Sequence, residues 1–283
     1  MKANCWTTVA LLVCLGLHGC ATLPLPQQRS QQADALASTV NLTREQVRTD
    51  TFLLTSYVRI ERPDLPLTVY IEGDGLAFRS RSQPSDDPTP VNPVGLALAA
   101  ADPTANVLYL ARPCQFAHAA DNPRCAVGYW TGKRFAEEVV QAMDQAVDHY
   151  ARQVPGQALH LIGYSGGGAI AALLAARRVD VASLRTVAGN LDVAEFNRLH
   201  RTTPMPESLN PIDQAARLRA LPQIHFHGTA DHVVPGVIAE RFAQAVAGDC
   251  TQVRAVPGMG HGGDWAARWP GLLAEPARCG CEH

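Results

Sequence analysis

One stretch of the sequence restricts the fold more than any other: a strand that becomes a helix through a handful of glycines. Ala158 to Ile162 reads as a buried strand and runs into Gly163-Tyr164-Ser165-Gly166-Gly167-Gly168, after which Ala169 to Ala176 are small apolar residues in helical register. So tight a turn forces strained backbone angles on Ser165, and the glycines two before and two after it permit the turn because side chains there would collide. The Ser165 oxygen is thereby exposed. The helix N-terminus aims N–H groups, that of Gly166 among them, at the space beside it. A phosphate site on the same turn is the poorer reading, because no GxGxxG precedes it and no Lys follows as in a P-loop.

The rest of the chain supplies a sheet for this unit. Strand-like runs alternate with helical stretches, which implies an α/β fold with a mostly parallel sheet covered by helices. Thr51 to Arg59 and Leu67 to Ile71 flank a turn at Pro63 to Pro66 and are expected to be neighbours. Asn106 to Leu110, Leu184 to Val187, Gln223 to Phe226 and Thr251 to Val256 are the further strands. Thr131 to Gln153 carries apolar residues at Phe135, Val139, Met143, Ala146, Val147 and Tyr150, one face of an amphipathic helix with Thr131 as its cap. Asn190 to Leu221 has no strand pattern, is broken by Pro204, Pro206 and Pro211, and reads as a small cap over a site.

Hydrophobic residues make up 47% of the 283 and charged residues 18%, enough apolar material for a core and too much for a disordered chain. With 24 Lys+Arg against 26 Asp+Glu and no long basic run, nucleic acid is excluded as a partner. The N-terminus reads as an export signal over residues 1–19: Lys2 is charged, and the apolar run Cys5 to Leu17 is too short to span about 30 Å of hydrocarbon. Leu17-His18-Gly19-Cys20 resembles the bacterial lipoprotein processing site, apart from His18. The resemblance implies lipidation of Cys20 and, with Ala21 rather than Asp after it, an outer-membrane lipoprotein; a soluble periplasmic or secreted protein is the alternative. Residues 20–40, with Pro and Gln frequent from Thr22 to Gln32, read as a tether, and 41–283 as one folded domain.

Cysteine usage fits an oxidising compartment. Cys114 and Cys125 enclose ten residues containing Asn122-Pro123 and are expected to form a local disulfide, while Cys250 has Cys279 or Cys281 as its partner. Cys279-Gly280-Cys281 is spaced too closely for the paired ligands of a structural zinc site, so no metal is expected.

Two later strands end in informative loops. Gln223 to Phe226 runs into His227-Gly228-Thr229-Ala230-Asp231-His232-Val233-Val234-Pro235, and Thr251 to Val256 into Pro257-Gly258-Met259-Gly260-His261-Gly262-Gly263-Asp264. An early strand closes in Val69-Tyr70-Ile71-Glu72-Gly73-Asp74-Gly75. In this order, and over Thr51 to Pro270, the chain resembles the α/β-hydrolase fold, with a central mostly parallel sheet, helices on both faces and a small cap insertion at 190–221. The resemblance implies that Ser165 is the nucleophile, His261 the general base and Asp231 the acid that orients it. It also implies that the N–H groups of Asp74 and Gly166 form the oxyanion hole. Glu72 stands where that fold commonly has His, and the Asp74 carboxylate beside the hole leaves Gly75 as an alternative donor.

The rivals are few. Asp192 is the other candidate acid, and His225, His227 and His232 are read as packing or loop residues. Arg79 and Arg81 are expected to be solvated and paired with Asp86 or Asp87 rather than to hold a substrate anion. Tyr129-Trp130 is read as core rather than an acyl pocket, and Trp265 and Trp269, four apart, as one face of a packed helix. The implied function is an exported serine hydrolase of carboxylic esters, working through an acyl-enzyme without cofactor. Its substrate would be a small-molecule ester or lipid, and its membrane contact the N-terminal lipid alone. An acyltransferase, thioesterase or peptidase on the same residues, or a non-catalytic binding lipoprotein, are the alternatives. Activity should rise with pH as His261 loses its proton, and chelators should leave it unchanged.

Overall fold

Every residue of the strands Leu67–Ile71 (β3) and Asn106–Leu110 (β4) is buried, which requires cover on both faces of the sheet they belong to. In the computed structural model, which describes residues 23–280, they lie inside an eight-stranded sheet. The other strands are Thr43–Arg48 (β1), Leu53–Ile60 (β2), Leu159–Tyr164 (β5), Val181–Val187 (β6), Gln223–Gly228 (β7) and Thr251–Val256 (β8), in the order β1-β2-β4-β3-β5-β6-β7-β8. From β4 to β8 the pairing is parallel, and β1 and β2 run antiparallel at one side. Alternate side chains feed two cores. Val69, Ile71, Leu108 and Leu110 face the helices Glu137–Ala151 (α3) and Gly166–Ala175 (α4), whereas Tyr70, Val107, Tyr109 and Phe226 face Pro26–Ser38 (α1), Val94–Ala100 (α2) and Trp265–Leu273 (α7).

The expectation that β2 and β3 are neighbours is corrected: β4 lies between them, antiparallel to β2 and parallel to β3. The turn that joins them is wide enough to admit a third strand, because Asn106 fills it. Its Oδ1 accepts from Glu61 N–H and Arg62 N–H at 3.1 and 3.0 Å, and its Nδ2 donates to the carbonyls of Arg62, Leu65 and Pro66. The strand β1 is absent from the sequence reading, since Thr-Arg-Glu-Gln-Val-Arg buries only Val47 and has no apolar alternation.

Residues 26–38 are a helix, not a tether. Pro26 occupies the first turn, where its missing N–H costs nothing, and Gln28 Oε1 accepts from Leu25 N–H. Ala33 and Ala37 are buried against α2, and the buried Arg29 donates to the Thr89 carbonyl and lies 3.6 Å from Asp87. A packing face made of two alanines and an arginine leaves no apolar period to read. The signal 1–19, Cys20 and Ala21 lie outside the described residues, as does Cys281. Among the described residues, no helix is long and apolar enough to cross a membrane.

Helix α3 starts at Glu137 and not at Thr131. The preceding N–H groups are bonded elsewhere, Lys133 to the Gly128 carbonyl and Phe135 to Ser208 Oγ, while Thr131 Oγ1 donates to the Val127 carbonyl. The segment 190–221 contains the helix Val193–His200 (α5) and a 3-10 helix, Pro211–Leu218. The 3-10 helix belongs to the body, with Ala215 and Leu218 buried between α4 and Val237–Val246 (α6). Trp130 is buried with its indole on the Ser85 carbonyl, and Trp265 and Trp269 are both buried along α7, as expected. Disulfides join Cys114 to Cys125 and Cys250 to Cys279, as befits an oxidising compartment.

The helix α1 generates a prediction. Protein beginning at residue 41 should melt about 5–15 °C below protein beginning at residue 23, because it loses a buried face of the core; equal melting by circular dichroism would return the segment to a tether.

Candidate active site

Strand β5 hands over to α4 within one residue, and Ser165 takes φ 51°, ψ −120° to do it. No room exists for a relaxed turn: a Cβ at Gly163 would sit 2.2 Å from the Gly167 carbonyl oxygen. Ser165 N–H donates to the Val187 carbonyl, and the Ser165 carbonyl accepts from Gly168 N–H and Asn190 N–H, so the elbow is tied to β6 as well as to α4.

Strand β7 delivers Asp231, and the loop after β8 delivers His261. Asp231 Oδ1 accepts from the N–H groups of Val233 and Val234, both at 2.8 Å. Its Oδ2 lies 2.8 Å from His261 Nδ1, and His261 Nε2 lies 3.0 Å from Ser165 Oγ. The structure thus brings Ser165, His261 and Asp231 into one chain of hydrogen bonds across 96 and 30 residues of sequence. Burial pushes the Asp231 carboxyl up, but the bonds from His261 and the two N–H groups outweigh it and hold the group below the usual carboxylate range. An ionised Asp231 keeps a proton on His261 Nδ1, which leaves Nε2 free to accept from Ser165.

His261 itself is gripped by residues that the sequence reading did not assign to the site. Its carbonyl accepts from Tyr164 Oη–H and from Trp265 Nε1–H, each at 3.0 Å, and the Tyr164 ring lies 5.3 Å from the imidazole. Tyr164 adjoins Ser165 and Trp265 follows His261 by four, but only the folded loop shows that both donate to one oxygen.

The rivals have other work. Asp192 caps α5, accepting from Glu195 N–H, and pairs with Arg241 at 2.9 Å. His225 is fully buried between Thr186 and Gln223, and burial alone pushes its imidazole down to about 3. His227 packs beneath Gly236, and His232 is exposed. Arg79 pairs with Asp86 at 2.7 Å, and Arg81 is exposed. His200 at the end of α5 bonds the Val233 carbonyl, which ties the outer part of the 190–221 segment to the loop that carries Asp231.

The loop after β3 lies on the other flank of Ser165. Glu72 is buried and accepts from Gly73 N–H, Gly95 N–H, Leu96 N–H and Tyr109 Oη–H, so it joins this loop to the first turn of α2. Burial pushes its carboxyl up, against the pull of those four donors. Asp74 meets the first residue of α4: a Cβ at Gly166 would stand 2.0 Å from Asp74 Oδ1. Its carboxylate is paired with Arg112 at 3.3 Å and Arg134 at 3.4 Å, and both guanidiniums lie over the Phe135 ring. Burial lowers Arg112 to about 10, partly offset by Asp74. Neither arginine stood out in the sequence.

The Asp74 N–H has no hydrogen-bond partner among the described residues, and the Gly166 N–H belongs to a first helical turn that leaves its donors free. Among the described residues, no group of three or more His, Cys, Asp or Glu is placed to hold a metal. A groove of about 560 Å³ lined by Glu137, Leu173, Arg177, Ser208 and Arg217 contains none of these site residues.

Asp231 gives a pH dependence of known sign. Its folded pKa is depressed, so its contribution to stability is present above the unfolded value of about 3.9 and is lost as the pH falls through the folded value. Urea unfolding of Asp231→Asn from about pH 7 down to about pH 2 should therefore give a flatter stability curve than the parent. Parallel curves would contradict it.

No protein-family model matches the chain, and no curated protein matches it. Solved structures do. Est1E from Butyrivibrio proteoclasticus is similar over 82% of this chain and 98% of its own, at 16% identity and a TM-score of 0.54. An alpha-beta serine hydrolase homologue from Coxiella burnetii is similar over 81% and 92%, at 14% identity and 0.53. The esterase domain of a Rhodothermus marinus protein is similar over 81% and 95%, at 15% identity and 0.52. Identities this low speak for architecture and not for activity. With its sheet order and the helices on both faces, the chain has the α/β-hydrolase fold.

Proposed function

We propose that this protein is a serine hydrolase that cleaves carboxylic esters through an acyl-enzyme on Ser165. The observation that carries the reading is the chain Ser165–His261–Asp231, at 3.0 and 2.8 Å, ending on a serine held at a strained elbow. His261 takes the Ser165 proton as Oγ bonds to the ester carbon, and the carbonyl electron pair moves onto oxygen beside the Asp74 and Gly166 N–H groups. Collapse of that intermediate breaks the bond to the alcohol, which leaves with the proton from His261. Water then repeats the sequence on the acyl-enzyme and releases the acid. The choice of oxygen esters leans on the structural neighbour that is named an esterase domain.

Labelling with a fluorophosphonate should modify Ser165, and Ser165→Ala should abolish both labelling and ester turnover while keeping its circular dichroism. Asp231→Asn should lose about ten-thousand-fold in kcat. Asp192→Asn should keep kcat and, because Asn caps a helix as well as Asp does, lose only the ion pair to Arg241, about 1 kcal/mol of stability or less. Labelling elsewhere, or equal kcat losses in the two Asp variants, would defeat the assignment.

We propose further that the protein lies outside the cytoplasm, which the two disulfides support, and that it carries a lipid on Cys20, which the resemblance of Leu17-His18-Gly19-Cys20 to a lipoprotein processing site implies. Cys20→Ser should move it from the membrane fraction to the soluble fraction of expressing cells and abolish metabolic labelling with palmitate; unchanged partition with no label in the parent would remove the lipid.

A further inference from the structure

The oxyanion donor on Asp74 belongs to the peptide between Gly73 and Asp74, and in a trans peptide the C=O and N–H point in opposite directions. Whatever holds the Gly73 carbonyl therefore aims the Asp74 N–H. Glycine at 73 gives that peptide little resistance to flipping, which would turn an acceptor toward the reacting oxygen instead of a donor.

The Gly73 carbonyl is held. Gln115, 1% exposed, donates from Nε2 to it at 2.9 Å. The other end of the same amide, Oε1, accepts from Arg112 N–H at 3.0 Å, inside a turn that Gln115 N–H closes on the Arg112 carbonyl. Arg112 in turn pairs with the Asp74 carboxylate. One short turn thus grips both sides of the Gly73–Asp74 peptide. Gly75 closes the loop behind it at φ 64°, with the Pro88 carbonyl and Gln115 Nε2 occupying the space where a Cβ would go.

The turn is itself unrelaxed and locked. Cys114 and Phe116 have φ of 73° and 54°, the left-handed region that non-glycine residues rarely adopt. The Cys114–Cys125 disulfide fixes the turn from one side. Near its far end, Asn122 exchanges two hydrogen bonds with the backbone of Leu53 on β2, so the lock is anchored to the sheet.

Resting on the hydrolase reading of Ser165, we infer that Gln115 is a positioning residue for the oxyanion hole and that the Cys114–Cys125 disulfide holds it in place. It touches no reacting atom; it sets the direction in which the Asp74 N–H points.

The experiment compares an aryl oxoester with its thionoester in the full-length protein. Sulfur is a poor hydrogen-bond acceptor, so thionoester turnover depends less on the hole. Gln115→Leu should lower oxoester kcat about 10- to 100-fold, less than outright removal of a donor, with KM within about threefold. Thionoester turnover should change little, so the ratio of the two falls toward one. The pH dependence should stay where it is, since His261 and Asp231 are untouched. The double variant Cys114→Ser, Cys125→Ser should move the ratio in the same direction by a smaller factor, and it serves as the independent arm if Gln115→Leu does not fold. A folded variant of either kind with an unchanged ratio overturns the inference, whether its rates are unaltered or fall equally. A parent protein that neither labels nor turns over either ester overturns the hydrolase reading, and this inference with it.

Discussion

Backbone touching backbone at the start of α4 sets the geometry of the whole site. Gly163 approaches the Gly167 carbonyl, and Gly167 approaches the carbonyls of Ile71 and Glu72, so close that a Cβ at either position would overlap them. These contacts draw the ends of β3 and β5 against one helix. Because the helix begins so near the sheet, Ser165 has no path but the strained one, and the loop after β3 must leave directly beside it. The strain at Ser165 and the placing of Asp74 against Gly166 are two results of one close approach. The sheet order allows it: β3 and β5 are adjacent, although β4 precedes β5 in the chain.

That closeness brings an electrostatic problem for the hydrolase proposed above, since a carboxylate stands at the N-terminal end of α4, where such a reaction would build up negative charge. Two guanidiniums answer it. Arg112 and Arg134 are nearly buried, share Asp74 and lie on the same Phe135 ring at 5.3 and 5.4 Å. Buried ion pairs are weak sources of stability, because desolvation consumes most of the attraction. The Nε atoms of both arginines also make no hydrogen bond. A cluster built for stability would satisfy those atoms. This one sets two positive charges against one half-buried carboxylate, which more than offsets the Asp74 charge.

What was legible in the sequence follows from the range of the interaction that writes it. The Ser165 turn is local chemistry, glycines at fixed offsets from a serine, and it was readable; so were β3 and β4, whose burial on both faces leaves continuous apolar runs. The loops carrying Asp231 and His261 were readable because each directly follows a strand. Helix α1 was not, since alanines and a buried arginine leave no hydrophobic period, and neither was the place of β4, because the turn that admits it is filled by Asn106 from 40 to 45 residues away. Gln115 and Arg112 were invisible for the same reason. Their contacts with Gly73 and Asp74 span 42 and 38 residues, and nothing in Arg-Pro-Cys-Gln announces a partner.

The three residues of the hydrogen-bonded chain are held by different means. Ser165 is fixed by backbone sterics, and Asp231 by two N–H groups of its own loop. His261 sits between glycines at 260 and 262, where the chain offers no stiffness of its own. Its position is imposed through its carbonyl, by Tyr164 and Trp265. Tyr164 is the residue before Ser165, so the distance from imidazole to hydroxyl is set through a path one peptide long and not through the breadth of the sheet. A small displacement of β8 against β5 would carry the glycine loop with it, yet leave the His261 carbonyl on the tyrosine next to the serine. The Ser165–His261 separation is therefore tied to the residue next to the serine, whatever conformational freedom the glycines around His261 have.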